Sequence, residues 1–182
     1  MNVFGKHYRT IWVHPENDKI IQIIDQRQLP HFFAIEDICS FDQMINAINE
    51  MHLRGAGLIG AAAGYGMYLA SLEVMDKPIE FAYEHFEEAG KILIGTRPTA
   101  INLERAINRQ LDTAKQATST LELIQQVKNM ADYISDEDAD FGKRVGENGV
   151  SIIEEISRFK AGKPVNILTH CNAGWLALVD YG

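Results

Sequence analysis

One run of small and apolar residues, AGLIGAAAGYGMYLASL from Ala56 to Leu72, constrains the fold more than any other part of the chain. The run is apolar on nearly every side of a helix, rather than along a single stripe. Such a helix has no face that suits water, so other elements must pack around it. Its apolar part is also too short to span a bilayer. The sequence therefore predicts a buried central helix in a protein that does not enter a membrane.

The segment before this run is typical of antiparallel strands. In YRTIWVHPENDKIIQIIDQRQLP, Ile11 and Val13 lie two residues apart, on one face of a strand, and turn-forming residues occupy positions 15–18. A second apolar stretch follows at residues 20–24, which predicts a β-hairpin. Residues 31–35 are a candidate third strand.

Helix starts are marked along the rest of the chain by capping residues and prolines. Ser40 with Gln43, and Ser119 with Glu122, have the spacing of a capping box. Pro98 suits the first position of a helix, where its missing N–H costs nothing. Predicted helices therefore begin near residues 41, 56, 78, 98, 120 and 136, and the last of them runs to about residue 159.

The carboxyl-terminal stretch VNILTHCNAGWLALVDYG is typical of the opening of an α/β unit. Residues 165–168 are predicted to form a short buried strand, residues 169–174 a polar turn, and Trp175 onward the start of a helix. The expected fold class is α+β to α/β. A small antiparallel sheet and a helical bundle form domain 1–135, and residues 136–182 form a linking helix and the first strand of a truncated Rossmann-like domain.

Composition narrows the classes of function. The 182 residues carry a net charge of −8, which argues against a protein that tracks a nucleic-acid backbone, since that needs a basic face. The start of the chain lacks the apolar core of a signal peptide, and its two cysteines have no metal-ligand spacing. We expect a cytoplasmic protein with reduced thiols and no metal. The acidic run DEDAD, residues 136–140, is interpreted as the solvated start of a helix.

Residues Gly55 to Gly60 spell G-x-G-x-x-G, but their context argues against a dinucleotide site. A capped helix is predicted before them, whereas the dinucleotide fingerprint follows a strand. Small residues at a helix start still let a ligand approach backbone N–H groups, and Arg54 stands beside them. Arg97, directly before Pro98, is predicted to lie at a second positive helix end. Together the arginines suggest a site for an anionic small molecule; a glycine-rich junction with structural arginines is the alternative.

Cys171 is the candidate reactive residue. At the mouth of a strand where a helix starts, its thiolate would be stabilised by helix amides and would suit proton transfer or nucleophilic attack. A buried, inert thiol is the alternative, and it is the interpretation given to Cys39. His170 adjoins Cys171 but points away from it on an extended chain, so it is interpreted as a hydrogen-bonded structural residue.

The stretches IDQRQLP, RGAGLIGAAAGYGMYLA, TRPTAINLERA, GENGVSIIEEI and ILTHCNAG together resemble the methylthioribose-1-phosphate isomerase family. This family includes ribose-1,5-bisphosphate and 5-deoxyribose-1-phosphate isomerases, and the stretches occur in family order along nearly the whole chain. The combination of THCNAG with RPTA-N is the most specific part of the resemblance. It implies a homodimeric aldose–ketose isomerase of methionine salvage, within amino-acid biosynthesis. Such an enzyme moves hydrogen between C1 and C2 of an open-chain sugar phosphate without a cofactor.

The resemblance also implies roles for particular residues. Arg54, Gly55 and Ala56 match the family's substrate-binding triplet, and Arg97 matches a second arginine that contacts substrate. Cys171 matches the active-site cysteine, which assists proton relay or stabilises the transition state. The family's catalytic aspartate belongs to a carboxyl-terminal half that is absent from this sequence. We therefore expect an incomplete and inactive amino-terminal part, whose partners are a small-molecule sugar phosphate and either another copy or the missing carboxyl-terminal half.

Two alternatives stay open at this point. Many family members have proline where Gly57 stands, so the preferred sugar phosphate could differ from methylthioribose 1-phosphate. Related folds also serve as non-catalytic regulatory subunits of the guanine-nucleotide exchange factor in translation initiation. Cys171 and the RPTAIN stretch favour an enzyme over such a subunit.

Overall fold

The computed structural model describes residues 2–182, and within them two small antiparallel sheets and five α-helices. The first sheet is a hairpin of β1 (Asn2–Val3) and β2 (Lys6–His7), and the second contains β3 (Ile11–His14), β4 (Asn17–Ile24) and β5 (Ile35–Ile38) in that order. The helices are α1 (Phe41–Asn49), α2 (Ala56–Leu72), α3 (Ile79–Thr96), α4 (Ile101–Ala114) and α5 (Thr120–Phe159). A 3₁₀ turn follows at Trp175–Ala177.

Helix α2 lies at the centre of the core, which confirms the prediction of a buried central helix. It contacts the other four helices as well as β3 and β4, and almost all of its residues are buried. The side-chain amide of buried Gln110 on α4 donates hydrogen bonds to the carbonyls of Gly64 on α2 and Val127 on α5, at 2.9 and 3.1 Å. This amide joins three helices where a purely apolar contact would leave the register free.

The predicted hairpin is confirmed as β3 and β4, which pair antiparallel with Ile11 opposite Ile23. The third strand is β5 at residues 35–38, later than the predicted 31–35. The difference has a local cause. Buried Asp25 accepts hydrogen bonds from the backbone and guanidinium of Arg27 and from the Gln28 amide, which holds the chain in turns before β5 begins.

Both predicted capping serines are confirmed, since Ser40 Oγ accepts from the backbone N–H of Gln43 and Ser119 Oγ accepts from that of Glu122. The return bonds reach one residue further than in a capping box: the Gln43 side chain accepts from the Cys39 N–H, and the Glu122 side chain from the Thr118 N–H. The predicted helices at 120 and 136 are one 40-residue helix, α5, which passes through residue 135 without a break. The domain boundary placed there stays a prediction. Across residues 2–182, no helix combines the length and apolar character needed to cross a bilayer.

The predicted strand at residues 165–168 does not form, so the structure contains a small α+β unit and no Rossmann-like strand among its described residues. A β-strand needs a neighbour to pair with, and residues 164–170 have none, have no regular secondary structure and are mostly exposed. The helix predicted from Trp175 is a single 3₁₀ turn, because the residues after it are held against the amino-terminal half of the molecule.

Candidate functional site

Residues 174–180, which we call the strap, cross over the amino-terminal end of α2. Thr10 fixes the strap through two hydrogen bonds: its N–H donates to the Val179 carbonyl at 3.0 Å, and its hydroxyl donates to the Leu178 carbonyl at 2.6 Å. The Gln26 amide donates to the Leu176 carbonyl at 2.7 Å. These contacts join the last part of the chain to the ends of the amino-terminal strands.

The amino-terminal end of α2 depends on glycine because the strap lies so close to it. Gly55 caps the helix with φ +111°, a conformation that L side chains rarely adopt. A Cβ on Gly55 would overlap Ala177 of the strap, and one on Gly57 would overlap the Asp138 carboxylate. The glycines of the G-x-G-x-x-G stretch therefore serve close packing at a helix start, as its failed dinucleotide context indicated.

Asp138 supplies the third anchor of the strap. It projects from α5, and its Oδ2 accepts a hydrogen bond from the Val179 N–H at 2.6 Å. Burial raises the pKa of Asp138, while the hydrogen bond from Val179 acts in the opposite direction. The interpretation of the DEDAD run as a solvated helix start is therefore wrong for Asp138, which lies mid-helix and faces the strap.

The two candidate arginines occupy different settings. Arg54 is exposed directly before the Gly55 cap, and in the described part of the chain it makes no hydrogen bond or ion pair. Arg97 is half-buried, and its Nη2 donates to the Ile48 carbonyl near the end of α1 at 3.3 Å. Arg54 is thus available to a ligand at the start of α2, whereas Arg97 is already engaged near the end of α1.

The prediction that Arg97 lies at a positive helix end is wrong. Arg97 is the C-cap of α3, at φ −143° and ψ 75°, because the residue before a proline avoids the helical region. A turn closed by the Ala100 N–H and the Arg97 carbonyl then delays the start of α4 to Ile101, three residues after Pro98. Arg97 therefore lies beside the carboxyl-terminal end of α3, where a cation is favoured by the helix dipole.

Cys171 lies in an exposed turn with a positive φ of 63°. The helix that would have stabilised its thiolate is absent, since the next element is only the short 3₁₀ turn. Cys39 is exposed as well, which contradicts its interpretation as a buried thiol. His170 is exposed and, among the described residues, makes no hydrogen bond, so its structural interpretation is wrong too.

A cavity of about 490 Å³ links the Cys171 turn to the start of α2. Its lining includes Ala56 and Gly57 of α2, Phe141 and Val145 of α5, and Asn172 and Gly174 of the turn. The structure thus brings the turn that carries Cys171 to Ala56 and Gly57 at the start of α2. Cys171 itself is absent from the cavity lining, as are both candidate arginines.

With this geometry established, comparison with known proteins identifies the family. The Initiation factor 2 subunit family matches residues 52–179, a range that contains the start of α2, both candidate arginines and all of the strap except its last residue. The chain belongs to this family.

Within the family, the chain is similar to methylthioribose-1-phosphate isomerases along its whole length. It is 42% identical to the one from Desulfatibacillum aliphaticivorans, and the match covers 100% of this chain and 49% of that protein. A second one, from Escherichia coli O45:K1 (strain S88), is also 42% identical and is covered over 47% of its length. The chain therefore spans about half the length of the curated relatives it matches.

Solved structures of the family share the fold. A crystal structure of 5-methylthioribose 1-phosphate isomerase from Pyrococcus horikoshii superposes with a TM-score of 0.81 at 36% identity, over 96% of this chain and 46% of that one. The structure of translation initiation factor eIF-2B subunit delta from A. fulgidus gives a TM-score of 0.79 at 28% identity, over 97% of this chain and 48% of that one. The same architecture thus occurs in an isomerase and in a translation initiation factor.

Sequence reasoning missed the anchors that shape this part of the initiation factor 2 subunit fold. Thr10 and Gln26 carry no local signal, because their partners lie about 150 or more residues away in the chain. Asp138 did carry one: it follows Ile134 by four residues and precedes Phe141 by three, which places it on the apolar side of α5. A carboxylate on an apolar face indicates a buried partner, and that partner is the strap.

Proposed function

We propose that this chain supplies the amino-terminal half of an aldose–ketose isomerase that acts on methylthioribose 1-phosphate. The observation that supports this most directly is that residues 172–174, directly after Cys171, line one cavity together with Ala56 and Gly57 at the start of α2. A ligand held at the start of α2 would lie beside the turn that carries the thiol. The similarity to methylthioribose-1-phosphate isomerases along the whole chain supports the same choice of substrate.

In this proposal, the start of α2 binds the phosphate group of the substrate. The exposed guanidinium of Arg54 supplies positive charge, and the first backbone N–H groups of α2 supply hydrogen-bond donors. Arg97 contributes a second donor once its bond to the Ile48 carbonyl is exchanged for the ligand. Because phosphate recognition needs only these groups, no metal has to bridge the ligand to the protein.

Cys171 would act on the sugar carbons. In the isomerisation, the bond between C1 and the ring oxygen breaks, the hydrogen on C2 is replaced by one delivered to C1, and the proton of the C2 hydroxyl ends on the released ring oxygen. C2 is thereby oxidised to a ketone while C1 is reduced to a CH₂ group. The formula is unchanged, and no external oxidant, reductant or cofactor is required. A positioned thiol can relay one of these protons, a role that contributes ~10²–10⁴-fold to such rates.

We further propose that the chain alone does not turn over substrate, because it spans about half of its relatives' length. Purified chain with methylthioribose 1-phosphate should give no product at ordinary enzyme rates. A chimera that continues after Gly182 with the carboxyl-terminal half of the Desulfatibacillum relative should form the ketose. Product formation by the unextended chain would contradict the first expectation, and an inert, folded chimera would contradict the proposed function.

The chimera also tests the residue roles. Cys171→Ser should lower kcat by ~10²–10⁴-fold, whereas the matched control Cys39→Ser, at the other exposed cysteine, should leave kcat unchanged. Arg54→Ala should raise KM for the phosphate substrate. Equal effects of the two cysteine substitutions would remove Cys171 from the mechanism.

A regulatory subunit of the translation-initiation exchange factor is the second candidate. The observation that favours it is the TM-score of 0.79 with eIF-2B subunit delta, nearly as high as that with the isomerase. The thiol at Cys171 and the RPTAIN stretch favour the isomerase instead. A panel of methylthioribose 1-phosphate, ribose 1,5-bisphosphate and 5-deoxyribose 1-phosphate, assayed with the folded chimera, separates the candidates, because an amino-terminal half of regulatory type would support conversion of none of them. A cytoplasmic location and a homo-oligomer remain part of the proposal.

A further inference from the structure

A small pocket lies between α2, α4 and α5, next to the cavity described above. Its volume is about 70 Å³, and its lining includes Gly57 and Gly60 of α2, Arg105 and Arg109 of α4, and Glu137 of α5. That volume holds a few water molecules or one compact ion, and it is too small for a sugar ring with its substituents. The pocket therefore suits a small polar group or ion.

Two guanidinium groups line this pocket from α4. Arg105 and Arg109 are four residues apart, so they lie on the same face of the helix. Like charges at this spacing repel each other and destabilise a helix. An anion held between the two guanidinium groups would offset that repulsion and accept hydrogen bonds from both. The pair therefore indicates an anion site.

Arg105 has a free guanidinium, whereas Arg109 is held in place by two contacts. Arg105 is exposed, and among residues 2–182 it makes no hydrogen bond or ion pair. Arg109 Nη1 donates to Glu137 Oε2 at 2.6 Å, and its guanidinium carbon lies 5.2 Å from the centre of the Tyr133 ring. A guanidinium has five N–H donors, so Arg109 can donate to a second acceptor as well.

Two carboxylates also line the pocket, and both are already engaged. Glu137 is paired with Arg109, which offsets its negative charge. Asp138 accepts from the Val179 N–H at 2.6 Å, and burial raises its pKa, which disfavours its charged form. Among the described residues that line the pocket, Arg105 is thus the charged group without a partner, and its charge is positive.

We propose that this pocket binds one phosphate-sized oxyanion between Arg105 and Arg109. The planar fork of a guanidinium matches the spacing of phosphate oxygens, and the two arginines bind different oxygens of the same ion. The site is separate from the phosphate position proposed at Arg54, because Arg54 lines neither this pocket nor the neighbouring cavity. The inference goes beyond the proposed function and does not depend on it.

The packing of α2 against α4 prepares the pocket for an ion. A Cβ on Gly60 would lie 3.2 Å from the Cβ and from the carbonyl oxygen of Asn102, so the two helices are in close contact there. The backbone that carries the arginines is therefore fixed before the ion arrives, which lowers the entropy cost of binding. Gly57 and Phe141 line both the pocket and the 490 Å³ cavity, so the two spaces share a wall.

Titration of the unextended chain with sodium phosphate, followed by heteronuclear NMR at constant ionic strength, tests the site. The amides of Gly57 and Gly60 and the side-chain Nε–H groups of Arg105 and Arg109 should shift together. The shifts should saturate with a Kd on the order of 1 mM. Sodium chloride at the same ionic strength should leave these signals in place. Phosphate that leaves them in place as well would overturn the proposal.

Matched substitutions assign the binding to the pocket. Arg105→Ala removes the unpaired guanidinium and should raise the Kd for phosphate by about tenfold or more. Arg144→Ala removes an exposed arginine of α5 that is paired with Asp140, and this control should leave the Kd unchanged. Glu137→Gln removes a negative charge from the lining and should lower the Kd several-fold. Equal weakening by the two arginine substitutions would mean a general attraction of phosphate to cations, and would overturn the site.

Arg54→Ala separates this site from the proposed function. It should leave the phosphate-induced shifts of Gly60 and Arg105 intact, and their loss in Arg54→Ala but not in Arg105→Ala would overturn the pocket. Methylthioribose 1-phosphate, added as a competitor, identifies the source of the oxyanion. Competition at Arg105 means that the sugar phosphate supplies the bound phosphate group, and no competition means that free phosphate does; either result supports the pocket. An inert chimera would contradict the proposed function and leave the phosphate titration unaffected.

Discussion

The two halves of α5 have the same kind of sequence and opposite surroundings. Val127 in the first half is fully buried against the core, and Val145, 18 residues later, is 73% exposed. The distance is five full turns at 3.6 residues per turn, so both valines lie on one face of one helix. Periodicity therefore identifies which face of a helix is apolar, but it does not say whether anything covers that face. The first half is covered by α2 and α4, whereas the second half is mostly exposed among the described residues.

The largest expected difference in stability is between two phenylalanine substitutions, one in the buried core and one on the exposed second half of α5. Phe86 on α3 is fully buried, so Phe86→Ala should lower the free energy of unfolding by about 3–5 kcal/mol. Phe159 on α5 is 82% exposed, so Phe159→Ala should change it by less than about 0.5 kcal/mol. Urea unfolding of the unextended chain measures both. A loss of several kcal/mol at Phe159 would mean that the second half of α5 is already packed in solution.

Sequence patterns predicted the packed part of the molecule, from β3 to the first half of α5, well. The residues that determine each of its elements lie close together in the sequence. The capping serines, the β3–β4 hairpin and the buried α2 depend on residues within a few positions of each other or within one helix face. The predicted start of α4 at Pro98 was wrong for a physical reason as well. Proline suits a first helical turn, but it also keeps the preceding residue, Arg97, out of the helical region.

The structure of residues 165–168 and of the strap could not be predicted in the same way. Residues 165–168 have the composition of a strand, but a strand exists only with a partner, and the described chain offers none. The strap is held by Thr10, Gln26 and Asp138, which are distant in sequence and have no fixed spacing. Near the candidate site, the pattern predicted correctly that a helix begins at Ala56, and its role in binding stays a prediction. The surroundings of Arg97 and Cys171 depend on elements that only the structure fixes.

Two glycine substitutions compare the packed start of α2 with the exposed second half of α5. Gly55→Ala places a Cβ at a positive φ and into Ala177 of the strap, so we expect a loss of about 2–3 kcal/mol. Gly146→Ala, in the exposed half of α5, meets nothing within 4 Å and should stabilise the chain by about 0.5–1 kcal/mol. Thermal unfolding of the two variants checks this. Destabilisation by Gly146→Ala would indicate a close neighbour on the second half of α5.

Two substitutions of Asp138 distinguish the contribution of its negative charge from that of its hydrogen bond to the strap. Asp138→Ala leaves the Val179 N–H without an acceptor and should cost about 1–2 kcal/mol. Asp138→Asn keeps an acceptor oxygen and removes a carboxylate whose pKa is raised by burial, so it should be close to neutral at pH 7. Hydrogen exchange of residues 174–180 reports whether the strap detaches. Equal destabilisation by both variants would show that the charge, rather than the acceptor, holds the strap.

The smallest expected effect is a pH dependence of the free energy of unfolding that comes from Asp25, in the turn before β5. The Arg27 guanidinium lowers the pKa of Asp25 from 3.8 to about 2 by its side-chain hydrogen bond, against the opposing effect of burial. Because the folded-state pKa is the lower one, the stabilisation is complete above about pH 4 and is lost as the pH falls towards 2. Arg27 is 46% exposed, so solvent screening reduces the contribution to about 1 kcal/mol.

The difference in unfolding free energy between the native chain and Asp25→Asn measures this contribution directly. It should be about 1 kcal/mol at pH 6 and should vanish near pH 2, since a protonated carboxyl resembles the amide. Asp112→Asn, which removes an exposed carboxylate paired with Lys115, is the matched control and should give no pH-dependent difference. A difference at Asp25 that persists unchanged at pH 2 would mean that the turn before β5 is held by the shape of residue 25 rather than by its charge. The acid sensitivity of the amino-terminal region would then have to come from another carboxylate.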